Sequence, residues 1–170
     1  MIKHSTQALM VDAYIGLGSN LNNPHEQVLS ALEQLNQIQS SYLHAFSSLY
    51  LSRPMGPADQ PSYVNAVAWL KTKLHAHTLL KALQAIENTH GRTRNGEHWG
   101  PRTLDLDILV YGNYQYDNQS LTVPHPGIKY REFVLYPLHE VNKNLMIPQL
   151  GALHRLKPRC YANGLTRLQL

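Results

Sequence analysis

The stretch GPRTLDLDILVYG, from Gly100 to Gly112, constrains this chain more than any other, because strand-type alternation and paired acidic residues coincide in it. Leu104, Leu106, Ile108 and Val110 alternate with Thr103, Asp105, Asp107 and Leu109, so a β-strand here presents both aspartates on one face and large aliphatics on the other. Residues two apart on a strand lie roughly 6.5 to 7 Å apart. That spacing suits two carboxylates holding a pair of Mg2+ ions about 3.5 to 4 Å from each other. An Asp-x-Asp repeat alone is also what a solvated polar strand face shows. What weighs against that reading is the preceding GRTRNGEHWGPR, which sets Arg92, Arg94 and Arg102 beside the acidic pair. Cations for phosphate oxygens next to acids for metal are complementary parts, and they point to chemistry on a polyphosphate.

The rest of the chain narrows the class. Its 170 residues, without a long Pro, Ser or Gly linker, fit one domain over residues 1–170 with a sizeable core. Hydrophobic residues make up 43% and no apolar run approaches a membrane span, so a water-soluble protein is expected. No signal peptide is legible in MIKHSTQALMVDAYIGLGSN, where Asp12 interrupts the apolar residues, and the lone Cys160 fits a cytoplasmic location. The net charge of +4 does not choose a partner by itself. The arginines gather around the acidic strand rather than in a long basic run, which favours a small anionic ligand over nucleic acid. His75 and His77 read as a solvated helix start rather than a zinc pair.

Taken in order, Met10–Leu17 alternates as a strand and GLGSN follows as a turn. The position of a third fingerprint glycine is Leu21 and a Walker lysine is missing, so Gly16 and Gly18 are assigned to close backbone packing. Asn23, Pro24 and Glu26 have the form of an N-cap, a first-turn proline and a capping-box acid, opening a helix that buries Val28, Ala31, Leu32, Leu35 and Ile38 and ends near Gln39. A strand is expected over Tyr42–Tyr50, then the stiff loop SRPMGPADQP. The next strand, Tyr63–Leu74, carries Tyr63, Asn65, Val67 and Trp69 on one face and Val64, Ala66, Ala68 and Leu70 on the other, smoother one, over which helices should lie. A second helix spans His77–His90, with Leu79, Leu80, Leu83 and Ile86 as its stripe and Gly91 ending it. NYQYDNQSLTVPHPG reads as a short hairpin excursion with His125 fixed between two prolines, and Tyr130–Tyr136 as a helical stretch interrupted at Pro137. The order strand, helix, strand, strand, helix, strand predicts an α+β, ferredoxin-like antiparallel sheet with helices on one face and an open active-site face. The core covers about residues 10–140, and the extension 141–170, with no usable motif, is expected to be partly disordered.

WGPRTLDLDILVYGN, together with AYIGLGSNL, MGPADQPSYVNAV and LTVPH followed by Arg131 and Phe133, resembles the 6-hydroxymethyl-7,8-dihydropterin pyrophosphokinase family over about residues 13–140. The resemblance implies transfer of pyrophosphate from MgATP to the hydroxymethyl oxygen of the pterin, releasing AMP, as a step of folate biosynthesis. It implies Asp105 and Asp107 as ligands of two Mg2+ ions and Arg92 and Arg102 as catalytic. Arg94, Ile108, Thr122, His125 and Arg131 would bind ATP; Ser52, Met55, Tyr63, Asn65, Trp99 and Phe133 would bind the pterin. No obligatory protein partner is implied. Arg53, Asn95 and His98 stand where the family commonly has proline, a basic residue and arginine. The loop from Gly91 to Pro101, with one large apolar residue, is expected to close as a lid when both substrates bind.

Two other classes use some of the same residues. A nucleotidyltransferase would pair Gly18 and Ser19 with the aspartates, but there the two parts are close in sequence and here they are far apart. A ferredoxin-like RNA-binding module would need aromatic and basic residues on central strands, where this chain has aspartates.

Overall fold

The computed structural model describes residues 9–55, 59–92, 101–157 and 164–169. Strand β1 (Val11–Ser19) leads into helix α1 (Pro24–Leu35), then strands β2 (Ser41–Phe46), β3 (Tyr50–Ser52) and β4 (Tyr63–Thr72). Helix α2 (Ala76–Thr89) precedes the aspartate strand β5 (Asp105–Tyr111). A small β6 (Tyr116–Asp117) and β7 (Thr122–Val123) hairpin and a 3-10 turn at Ile128–Tyr130 then lead to helix α3 (Glu132–Val141). The chain goes on through β8 (Met146–Ile147), β9 (Gly151–Ala152), α4 (Leu153–Leu156) and β10 (Thr166–Arg167).

Among the described residues the main sheet runs β10-β3-β4-β1-β5, with β2 also paired to β4, and every pairing is antiparallel. The expected α+β antiparallel sheet is therefore what forms. Its smooth face behaves as the alternation predicts: Val64, Ala66, Ala68 and Leu70 join Ala13, Ile15 and Leu17 of β1 and Leu104, Leu106 and Ile108 in one core, roofed by Val28, Ala31, Leu32 and Leu35 of α1 and Leu79, Leu83 and Ile86 of α2. Each valine, leucine or isoleucine among them, taken fully out of water, contributes about 1.5–3 kcal/mol.

The opposite face is open only at one end. Over the rest of it Tyr14, Val67, Leu109 and Val110 form a second core with Val134, Leu135 and Leu138 of α3 and with Leu145, Ile147 and Leu153 beyond it. Val110 thus leaves the face that strict alternation assigned it. The register explains why: Ile15 pairs with Ile108 but Tyr14 pairs with Val110, so Leu109 is an extra, bulged residue and the strand changes phase there.

Several local expectations are corrected. Asn23 is left-handed (φ 61°) and makes no side-chain cap, so the capping box does not form, and α1 ends at Leu35 rather than near Gln39. The predicted strand Tyr42–Tyr50 is broken at Ser47, whose hydroxyl accepts the Val67 N–H (3.0 Å) while its own N–H donates to the Val67 carbonyl (2.9 Å). Helix α3 passes through Pro137 to Val141. The lost backbone donor and steric clash cost roughly 3 kcal/mol, which the burial of Val134, Leu135, Pro137 and Leu138 along one stripe offsets. Beyond Val141, β8 pairs with β9 and β10 joins the main sheet.

Candidate active site

The open end of the second face is a cavity of 420 Å3 whose floor is β1. Register places Gly18 between Asn65 on β4 and Asp105 on β5, and Gly16 between Val67 and Asp107. Both glycines line the cavity, and a Cβ on Gly16 would stand 3.3 Å from the Leu109 side chain, one on Gly18 3.4 Å from Asn65 Oδ1. The two aspartates therefore share a face with a bare glycine floor beside them, and Asn65 faces them across it.

At the acidic end, Asp105 gathers both arginines expected to be catalytic. Its Oδ1 is 2.6 Å from Arg92 Nη1 and its Oδ2 accepts from Arg102 Nη1 at 2.7 Å. Arg92 Nη1 also contacts Glu87 Oε1 closely, and the same Glu87 oxygen accepts the Leu106 N–H at 2.8 Å. Glu87, buried on α2, thus ties the helix to both Arg92 and β5. Sequence reasoning missed it, although a signal was there: four residues after Leu83 on the helix, a carboxylate falls on the buried stripe.

Asn20 was missed as well. Its N–H donates to the Arg102 carbonyl (3.0 Å), its Oδ1 accepts the Arg102 N–H (2.8 Å), and its Nδ2 donates to the Pro61 carbonyl (3.2 Å). In the sequence it reads as part of the turn after β1.

Asp107 differs from its neighbour in titration. Its carboxyl is pushed up to about 7, first by desolvation and then by the charge of Asp105; Arg131 and Arg92 pull it the other way. His125 is pushed down to about 4 by burial and then by Arg131, so it is neutral at pH 7. Its Nδ1 accepts the Gly127 N–H at 3.0 Å, which leaves the proton on Nε2, 3.7 Å from Asp107 Oδ2. Its own N–H donates to the carbonyl of the bulged Leu109 at 2.9 Å, so the irregularity in β5 also seats the histidine.

At the other end, Ser52, Met55, Tyr63, Asn65 and Phe133 line the cavity, with Arg131 on its rim and over the Phe133 ring at 5.9 Å. Asn65 Nδ2 donates to Ser52 Oγ at 2.9 Å, which orients the amide. Burial raises the Tyr63 phenol above its ordinary value, so the ring stays neutral.

Not every expected residue converges here. The Ile108 side chain is buried in the first core, away from the cavity. A ligand there would meet only its main chain, whose N–H, by strand alternation, points outward from the sheet edge as that of Leu106 does. Thr122 is exposed on the β6–β7 hairpin and does not line the cavity. Arg94, Trp99, Asn95 and His98 lie outside the described residues, as does most of the loop expected to close as a lid.

Among the described residues no three His, Cys, Asp or Glu side chains converge as a metal cage. Two carboxylates on one face are nonetheless the donor set that suits Mg2+, which keeps several waters and completes its shell with substrate phosphates.

Residues 14–143 match the family described as 7,8-dihydro-6-hydroxymethylpterin-pyrophosphokinase. The chain is 52% identical over 139 residues to the 2-amino-4-hydroxy-6-hydroxymethyldihydropteridine pyrophosphokinase of Haemophilus influenzae, covering 82% of this chain and 86% of that one. It is 48% identical over 155 residues to the enzyme of the same name from Pseudomonas aeruginosa, covering 91% and 95%. Among solved structures, Plasmodium falciparum HPPK-DHPS A437G/K540E superposes with a TM-score of 0.72 at 10% identity, over 98% of this chain and 48% of that longer one, a likeness of fold. Residue matches over most of its length and a shared fold make the chain a member of the 7,8-dihydro-6-hydroxymethylpterin-pyrophosphokinase family.

Proposed function

We propose that this chain transfers the terminal pyrophosphoryl group of MgATP to the hydroxymethyl oxygen of 6-hydroxymethyl-7,8-dihydropterin, releasing AMP, as a step of folate biosynthesis. The observation that carries the reading is the row Asn65, Gly18, Asp105 across the sheet. An aromatic, hydrogen-bonding end and an acidic, arginine-bearing end share one cavity, with only glycine backbone between them.

The pterin ring lies between Tyr63 and Phe133, where a flat heteroaromatic gains from stacking, and its polar edge meets Asn65 and Ser52. Trp99 is assigned to the pterin by the family resemblance alone. Arg102 and Arg92 neutralise charge on the transferring group, and His125 Nε2–H and Arg131 donate to the nucleotide's phosphates, with Arg94, Thr122 and the Ile108 main chain completing the ATP site. Asp105 and Asp107 would hold Mg2+, two ions in this reading, which would supply charge neutralisation to the transferring group. Phosphoryl-type transfers demand positioning and electrostatics, and no nucleophilic side chain is needed.

The alternatives lose ground in space. Gly18 does stand opposite Asp105, as a nucleotidyltransferase would have it, but Ser19 is fully buried and its hydroxyl is turned to the Leu21 carbonyl at 3.4 Å. An RNA-binding sheet would carry cations where this one carries Gly16, Gly18, Asp105 and Asp107.

No helix among the described residues is long and apolar enough to cross a membrane. The proposed enzyme is cytoplasmic and acts on small molecules, with neither nucleic acid nor an obligatory protein partner. Incubation of the purified chain with ATP, Mg2+ and the hydroxymethylpterin should release AMP, with neither substrate sufficient alone. Release of ADP, or AMP formation indifferent to the pterin, would overturn the reading.

A further inference from the structure

The C-terminal strand has no place in the mechanism above, yet it leans on the wall of the cavity. Strand β3 supplies Ser52 and has only three residues. One edge bonds β4; the other would be bare but for β10, where Thr166 pairs with Leu51, Arg167 pairs with Tyr50, and the Leu168 N–H donates to the Leu49 carbonyl at 2.8 Å. Two residues further along the same register Gly164 opposes Arg53, which also lines the cavity. Gly164 has φ +76°, and a Cβ there would stand 3.3 Å from Arg53 Nε and 3.6 Å from its Cζ, so the guanidinium lies against the glycine.

A polar knot fixes the other end of β3. Glu140 on α3 accepts the Ser48 N–H (3.1 Å) and hydroxyl (2.8 Å) at Oε1 and the Tyr50 hydroxyl (2.7 Å) at Oε2. Arg167 closes it, with Nε donating to Ser48 Oγ at 2.8 Å and Nη2 to Glu140 Oε1 at 3.2 Å. Strand β3 in turn aims the Asn65 amide, whose Nδ2 donates to Ser52 Oγ at 2.9 Å and lies 3.4 Å from the Tyr50 carbonyl.

We propose that β10 is a positioning element of the pterin end of the cavity: through Arg167 and Gly164 it holds β3 and the Arg53 guanidinium, and through β3 the Asn65 amide, in the arrangement that reads the pterin's polar edge. This rests on the reading of Ser52, Tyr63 and Asn65 as pterin contacts. The acidic end is built on β1, β5 and α2 and makes no use of β10, so loss of the strand's grip should be felt by one substrate and not the other.

The test uses the full-length chain with Arg167→Ala, Arg167→Lys and Gly164→Val. Pterin affinity is measured by equilibrium dialysis with a non-hydrolysable ATP analogue present, the analogue's own affinity is measured separately, and thermal melting is followed for each variant. Arg167 is 66% exposed, so its removal should cost the fold little. The expected result is a pterin Kd raised about tenfold in Arg167→Ala and Gly164→Val, about 1.4 kcal/mol, partly restored in Arg167→Lys, with the analogue's Kd unchanged. Equal weakening of both ligands, or of neither, would overturn the proposal. Failure of the unaltered chain to bind pterin would instead remove the site reading beneath it, and so the proposal too.

Discussion

Asn20 holds the main chain of Arg102 from both sides, its N–H donating to the Arg102 carbonyl at 3.0 Å and its side-chain Oδ1 accepting the Arg102 N–H at 2.8 Å. A buried amide just past the end of β1 thereby fixes one of the two arginines paired with Asp105 and, through Nδ2, the loop at Pro61. Asn20→Ala leaves the Arg102 N–H without this partner in a half-buried position, a cost of about 1–3 kcal/mol. The expected outcome is a lower melting temperature and a single-turnover rate of AMP release reduced at least tenfold. Wild-type turnover would show that the clamp is dispensable.

Asp105→Asn and Asp107→Asn should each abolish steady-state AMP release while leaving far-UV circular dichroism unchanged, because the swaps keep the side-chain shape; Asp105→Asn should also melt lower, since it takes the charge partner from Arg92 and Arg102. Full activity in either variant would remove the two-carboxylate metal site.

Asp107 carries a further signature in metal-free protein. Desolvation and then the Asp105 charge push its carboxyl up to about 7 from an ordinary 3.8, so its ionised form is the disfavoured one and opposes folding, by an amount that water reduces because the side chain is 43% exposed. That opposition is absent below about pH 4, builds between 4 and 7, and is full above 7. Asp107→Asn should therefore melt a few degrees higher than the parent at pH 8 and indistinguishably at acid pH. A gap that does not grow with pH would contradict the shift. In the intact enzyme the same titration should weaken MgATP binding as pH falls below 7.

Arg102→Ala should depress turnover far more than it weakens ATP binding, since a guanidinium that meets charge developing in the transition state acts there preferentially. The measurement is kcat beside the Kd of a non-hydrolysable analogue. Equal losses would make Arg102 a binding residue only.

Glu87→Ala strips Arg92 and the Leu106 N–H of a buried partner at once. A loss of about 3–5 kcal/mol, read as a fall in melting temperature on the order of 10 °C, is expected together with lost activity. An unshifted melting curve would refute the tie between α2 and β5.

The aspartate face and the two-faced strand β4 were legible because a period of two reports both surfaces of a sheet directly. The change of phase at Leu109 was not, since Leu109 and Val110 are both aliphatic and either could sit in a core. Pro137 was read as a helix end because its local cost is visible in sequence and the buried stripe that offsets it depends on tertiary contacts. Asn20 and Glu87 escaped for a shared reason: each acts on a main-chain group far away in sequence, and nothing near either residue names that partner.

The bare floor has a consequence for substrate length. Asn65 and Asp105 lie two strand spacings apart on either side of Gly18, roughly 9–10 Å. A molecule anchored at the Asn65 end must carry its nucleophilic oxygen that far toward the acidic end, so the sheet works as a ruler. A pterin without its one-carbon arm would dock and fall short, and one with a longer arm would overshoot. The graduation is set by backbone spacing, which no exchange of side chains along the walls can alter.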